Sequence, residues 1–167
     1  GAICVASRTM LNTGRFLWEA CALEKHLKAE AEQRRFWSQR MRDAGYRTFM
    51  TGKWHVTGVQ PAEVFDEARN VRGGMPPTCD AAYERPGDGQ PDLWQPWDES
   101  RGGHWKGGNH WSAVTADDAI AFLEAPKPEG KPFFIYAAFN APHDPRQSPK
   151  EFVALYPPDK IALPPNF

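Results

Sequence analysis

The chain has 167 residues, with 20 basic and 21 acidic side chains and a formal net charge of −1. That length suits one domain with a real core, and the charge balance leaves neither a basic footprint for nucleic acid nor an acidic tail. No apolar run approaches the roughly 20 residues that a membrane helix needs.

The 14 glycines and 16 prolines together exceed the usual share of about 12% and imply long, turn-rich connections. Cys4, Cys21 and Cys79 are odd in number and lack C-x-x-C spacing, so they read as neither a disulfide framework nor a zinc site and leave the redox compartment open. The chain begins at Gly1 and ends on Pro164-Pro165-Asn166-Phe167, and is expected to be a fragment of a longer protein.

Ser7 to Thr13 can form a short helix stopped by Gly14, with Cys4 at or just before its N-terminus. Orphan N–H groups and the helix dipole favour an anion there. Residues 22–44, rich in Ala, Glu, Lys, Gln and Arg, read as one helix with Phe36, Trp37, Met41 and Ala44 as its apolar stripe and Gly45 as its stop. Tyr46 to Met50 is then a short strand, delivering Gly52-Lys53-Trp54-His55 near its end. Residues 57–111, broken by paired glycines and prolines, read as long ordered loops with short strand or helix pieces.

Thr115-Ala116-Asp117-Asp118 resembles a helix-start box, and Pro126 ends the helix that follows. The apolar run Phe133 to Phe139 reads as a strand of a parallel sheet, buried on both faces. It delivers Asn140-Ala141-Pro142-His143-Asp144-Pro145, and one short helix is expected near Lys150 to Leu155. The alternation argues α/β architecture, in which ligands sit beyond the carboxyl ends of the strands. Lys53, His55 and His143 all fall at such ends.

Three separated segments resemble the sulfatase family. They are Cys4-Val5-Ala6-Ser7-Arg8 with Thr13-Gly14-Arg15, then Asp43 to Thr48 leading to Gly52-Lys53-Trp54-His55, then Pro132 to Phe139 leading to Ala141-Pro142-His143-Asp144-Pro145. Ala6 stands where many members have proline. The resemblance implies an alkaline-phosphatase-like α/β fold, a mostly parallel sheet flanked by helices, of which residues 1–167 would be part of the catalytic domain. It also implies hydrolysis of a small-molecule or glycan sulfate ester to an alcohol and sulfate. Ala141 to Arg146 and the Gly-Trp-rich middle look closest to choline-sulfatase-like or iduronate-sulfatase-like members.

The same resemblance assigns roles. Cys4, converted by a maturation enzyme to formylglycine, would be the nucleophile and a calcium ligand. Arg8 would hold that residue and balance charge, Lys53 would bridge it to a sulfate oxygen, and His55 would be the base. His143 would bind sulfate and protonate the leaving alcohol. Calcium wants several oxygen ligands, and the resemblance implies that the others lie before position 1 and after position 167, with a second sulfate-binding lysine also after position 167; the isolated fragment is expected to be inactive.

Each residue also has a plainer reading. A lone cysteine is usually a small buried hydrophobe, Arg8 a surface charge, Lys53 and His55 solvated groups, and His143 a structural loop histidine. Trp94, Trp97, Trp105 and Trp111 could stack on sugars or hold a quaternary ammonium, or could pack a lid or core. His104 and His110, without zinc spacing, are loop residues that could face substrate. Two alternatives to a sulfatase stay open: a phosphonate monoester or phosphodiester hydrolase of the same superfamily, and a non-catalytic binding domain with unmodified Cys4.

Overall fold

The computed structural model describes residues 3–23, 26–77, 80–83, 86–87, 89–126 and 130–166. Cys79 lies outside the described residues, as does the side chain of Cys21. The chain divides into two units, Gly1–Met75 with Ser112–Asn140 and Pro76–Trp111 with Ala141–Phe167.

The first unit is built on a parallel sheet of three strands, β1 (Arg47–Lys53), β2 (Glu67–Arg72) and β5 (Phe133–Ala138), in the order β2-β1-β5. Helices α1 (Cys4–Thr13), α2 (Leu17–Leu23), α3 (Leu27–Glu32) and α4 (Trp37–Asp43) precede β1, and the single turn α5 (Pro61–Val64) links β1 to β2. Helix α6 (Trp111–Glu124) leads to β5.

Successive strand residues face opposite sides of a sheet, and β1 shows what covers each side. Met50 joins a core of Leu27, Phe36, Trp54, Val59, Val64 and Phe65. Phe49 stacks on Phe122 of α6 at 4.5 Å. Helices therefore cover both faces of the central strand, in agreement with an α/β fold of the alkaline-phosphatase-like kind.

Four local expectations change. The helix expected over 22–44 is three short helices. Phe36 is extended (φ −68°, ψ 143°) at the start of α4, where the buried Gln39 accepts its N–H at 3.2 Å and donates to Ala31 O at 2.8 Å. Burial of Phe36 and Gln39 thus overrides helix propensity. Strand β1 runs on to Lys53, so its end lies within the Gly52-Lys53-Trp54-His55 segment.

Helix α6 begins at Trp111, one turn before Thr115. The expected capping residues serve tertiary contacts instead: Thr115 accepts from Arg72 at 3.1 Å, and Asp118 accepts from Thr51 at 2.7 Å and from Asn70 at 2.9 Å. Strand β5 is half-buried, with Phe133 45% exposed. It lies at the edge of the sheet, paired on one side among the described residues.

Strand β2 falls within the stretch read as loops. Its sequence, EARNVR, has no apolar alternation, and Glu67 makes ion pairs to Arg47 at 3.3 Å and to Arg69 at 2.5 Å. The second unit carries the hairpin β3 (Trp105–Lys106) and β4 (Asn109–His110), the turn α7 (Lys150–Val153), and 3₁₀ turns at Asp80–Ala82, Glu99–Arg101 and Pro158–Lys160. No described helix is long and apolar enough to cross a membrane.

Candidate active site

Cys4 is the first residue of α1, preceded by Ile3 in an extended conformation (φ −106°, ψ 133°). Gly14 ends the helix with φ 70° and donates its N–H to Met10 O at 2.8 Å, the left-handed stop that its position predicts. Cys4 is half-buried, and its Sγ lies 3.1 Å from His55 Nδ1. A cavity of about 420 Å³ opens beside it, lined in part by Arg8, Leu11, Tyr136 and Phe139.

Residues four apart share a helix face, so Arg8 stands one turn behind Cys4. Its Nη1 donates to Lys53 O at 2.7 Å and to the Tyr136 hydroxyl at 2.9 Å. Arg8 thereby ties α1 to the end of β1 and to β5. Tyr136 is a residue that sequence reasoning did not single out; inside an apolar strand run it reads as one more core aromatic.

Lys53 is 2% exposed at the last position of β1. Burial pushes its ammonium below the ordinary lysine range, the nearby Arg8 charge pushes the same way, and a Cys4 thiolate opposes both. A cation held in so little water acts strongly on an anion brought to it.

His55 follows β1 with φ 51°, a left-handed backbone that a non-glycine residue rarely adopts. Gly74, just beyond β2, packs its backbone on the imidazole: a Cβ there would sit 2.3 Å from His55 Cε1. The Gly73-Gly74 pair reads in sequence as a break in periodicity, and the contact explains why its second member has no side chain. Trp54, between Lys53 and His55, is buried and donates its indole N–H to Val59 O at 2.6 Å.

A family model of the sulfatases matches residues 1–162. The chain belongs to the sulfatase family. It is 31% identical over 137 residues to the arylsulfatase of Klebsiella aerogenes, a match covering 71% of this chain and 26% of that protein. It is 40% identical over 52 residues to iduronate 2-sulfatase of Mus musculus, covering 31% of this chain and 9% of the relative. Among solved structures, a crystal structure of Ps i-CgsB in complex with k-i-k-neocarrahexaose matches over 95% of this chain and 38% of that one, at 20% identity and a TM-score of 0.59, a likeness of fold. The sulfatase chain thus spans about a quarter of the length of the arylsulfatase.

The remaining candidates of this sulfatase chain lie in the second unit. His143 Nδ1 lies 2.9 Å from Asp144 O and 3.3 Å from Asp144 Oδ1. His104 is fully buried and bonds through Nε2 to His143 O at 2.9 Å. Gln147 accepts the His104 backbone N–H at 2.6 Å and donates to Gly102 O at 2.9 Å. His110 is buried, its ring 5.4 Å from that of His104, while Trp111 meets His104 edge-on and Trp105 meets His110 edge-on.

Trp94 is buried too and donates to Arg146 O at 3.1 Å. Trp97 is half-buried under Lys150 Nζ at 5.4 Å. His104, His110, Trp94 and Trp105 are therefore buried within their unit, and Trp97 and Trp111 are the more accessible of the six.

These surroundings offer little to a calcium ion. The groups around Cys4 are His55, Arg8 and Lys53, two of them cations, and no three His, Cys, Asp or Glu side chains converge among the described residues. A hard ion seeking six to eight oxygens does not fit these residues as they stand, and no step below is routed through it.

Proposed function

We propose that the protein of which this chain is part hydrolyses a sulfate ester to an alcohol and inorganic sulfate, with Cys4 matured to formylglycine. The observation that carries the reading is the meeting of Cys4, His55, Lys53 and Arg8 at the carboxyl end of β1, drawn from two segments about fifty positions apart. Sulfate-ester cleavage needs a nucleophile, a base and a cation for the sulfate oxygens, and these residues supply each.

Formylglycine supplies, when formed, a hydrated aldehyde: one hydroxyl to attack sulfur and a second through which sulfate can be expelled. The position suits it, since Sγ lies 3.1 Å from His55 Nδ1 and an oxygen on the same carbon would face that nitrogen. His55 in its neutral form accepts the proton from that hydroxyl. The buried Lys53 ammonium neutralises a sulfate oxygen, and Arg8 holds the Lys53 carbonyl. His143 is assigned to sulfate binding and to protonation of the leaving alcohol. A calcium ion would draw on Cys4 as formylglycine and on oxygen ligands that the residues around Cys4 do not supply. The sulfate ester is that of a small molecule or a glycan, and Cys4 requires a maturation enzyme as partner.

Mass analysis of the tryptic peptide containing residue 4 tests the first step. After expression of the full-length protein with a maturation system, the peptide should lose roughly 18 mass units relative to the thiol form on the way to a covalent nucleophile. An unshifted thiol would favour a binding domain. Turnover of an aryl sulfate should exceed that of an aryl phosphonate or phosphodiester, and a strong phosphonate preference would overturn the choice of substrate.

A further inference from the structure

We propose that Tyr136 is a positioning residue for this centre: its hydroxyl holds the Arg8 guanidinium in the orientation that braces Lys53 and the Cys4 helix. The inference rests on the reading of the site as a sulfatase centre. The hydroxyl of Tyr136 meets this centre through the Arg8 guanidinium.

The Arg8 contacts are demanding. A single nitrogen, Nη1, serves two acceptors on different strands, Lys53 O at 2.7 Å and the Tyr136 hydroxyl at 2.9 Å. A guanidinium bonded to the main-chain carbonyl alone could swing about that one bond; the second acceptor fixes its plane. The hydroxyl is itself held. The Tyr136 ring stacks with Phe65 at 6.4 Å and meets Trp37 and Trp54 edge-on at 5.9 and 6.5 Å.

Trp54 lies between Lys53 and His55 in sequence, and Trp37 opens α4. The aromatic group around Tyr136 is therefore attached to the segment that carries the candidate lysine and base. The lone hydroxyl of an apolar strand, β5, reaches the one cationic side chain of α1, and that pairing brings three elements together at Cys4.

Tyr136→Phe isolates the proposal, because it removes the hydroxyl and leaves the ring packing in place. In the full-length, formylglycine-converted enzyme, kcat for an aryl sulfate should fall about 10-fold, the scale of a hydrogen bond to a charged group. KM should stay within about twofold, since the Lys53 ammonium that meets the ground state is retained. The effect should pass through Arg8: in an Arg8→Lys background, Tyr136→Phe should change kcat by less than about twofold.

The residue-4 peptide, weighed in every variant, keeps lost maturation apart from lost positioning, and turnover and conversion of the wild type decide the sulfatase reading by themselves. A readout without turnover accompanies them. By ¹⁵N NMR the Arg8 guanidinium should rotate more freely in Tyr136→Phe than in the wild type. Unchanged kcat, an equal loss in both backgrounds, or unchanged Arg8 dynamics would overturn the proposal.

Discussion

Gly74→Ala is the sharpest perturbation available to the first unit, because it adds one carbon against one ring. The new Cβ would stand 2.3, 2.5 and 2.6 Å from His55 Cε1, Nε2 and Nδ1, where ordinary contact begins at 3.4 Å. The imidazole must therefore retreat by about 1 Å, and it starts 3.1 Å from Cys4 Sγ. A shift of that size displaces Nδ1 from its present position against the residue-4 side chain. Misplacing a reacting group by about 1 Å costs on the order of 10²-fold in rate, or about 2.7 kcal/mol of transition-state stabilisation.

The assay is sulfate release from an aryl sulfate by the converted full-length protein, with the melting temperature measured alongside. Overpacking typically destabilises a fold by about 1–3 kcal/mol, so the enzyme should remain folded while it slows. In a His55→Ala background, which removes the obstructed ring, the same substitution should cost almost nothing further. If Gly74→Ala keeps its rate within about threefold of the wild type, the placement of His55 as the base is wrong.

Three further outcomes are expected. Gly52 has φ 92°, and a Cβ there would lie 2.1 Å from Ala138 O on β5; Gly52→Ala should lower stability by more than about 3 kcal/mol, read from the urea midpoint. Lys53→Met should abolish turnover without lowering the melting temperature at neutral pH, because burial disfavours the ammonium it removes. Below both pKa values the folded state carries that burial cost. Between the depressed folded pKa and the ordinary value of 10.5 the unfolded chain binds more protons, so wild-type stability should rise with pH and close the gap to Lys53→Met; a gap that widens with pH would reverse the sign. In the second unit, Gln147→Ala leaves the buried backbone N–H of His104 without its 2.6 Å acceptor, and should cost about 1–3 kcal/mol, measured as faster proteolysis at residues 102–111.

Read residue by residue, the sequence determined those features whose causes are local. The four-residue spacing of Cys4 and Arg8 puts them on one helix face, Gly14 stops that helix, and the apolar run at Phe133 makes a strand. The family motifs name the same segments, so the α/β class and the membership were legible without coordinates. Tertiary structure alone decided what each of those residues meets. Arg8 finds partners 45 and 128 positions away, Cys4 finds His55 51 positions away, and Asp118 reaches back to Thr51 across 67. Periodicity and propensity carry no record of such pairings, which arise when burial brings distant polar groups together with no water between them. For the same reason the charged strand β2, the broken helices before β1, the burial of Lys53 and the contact of Gly74 with His55 were visible only in the fold: each is set by a neighbour remote in the chain rather than by the residues beside it.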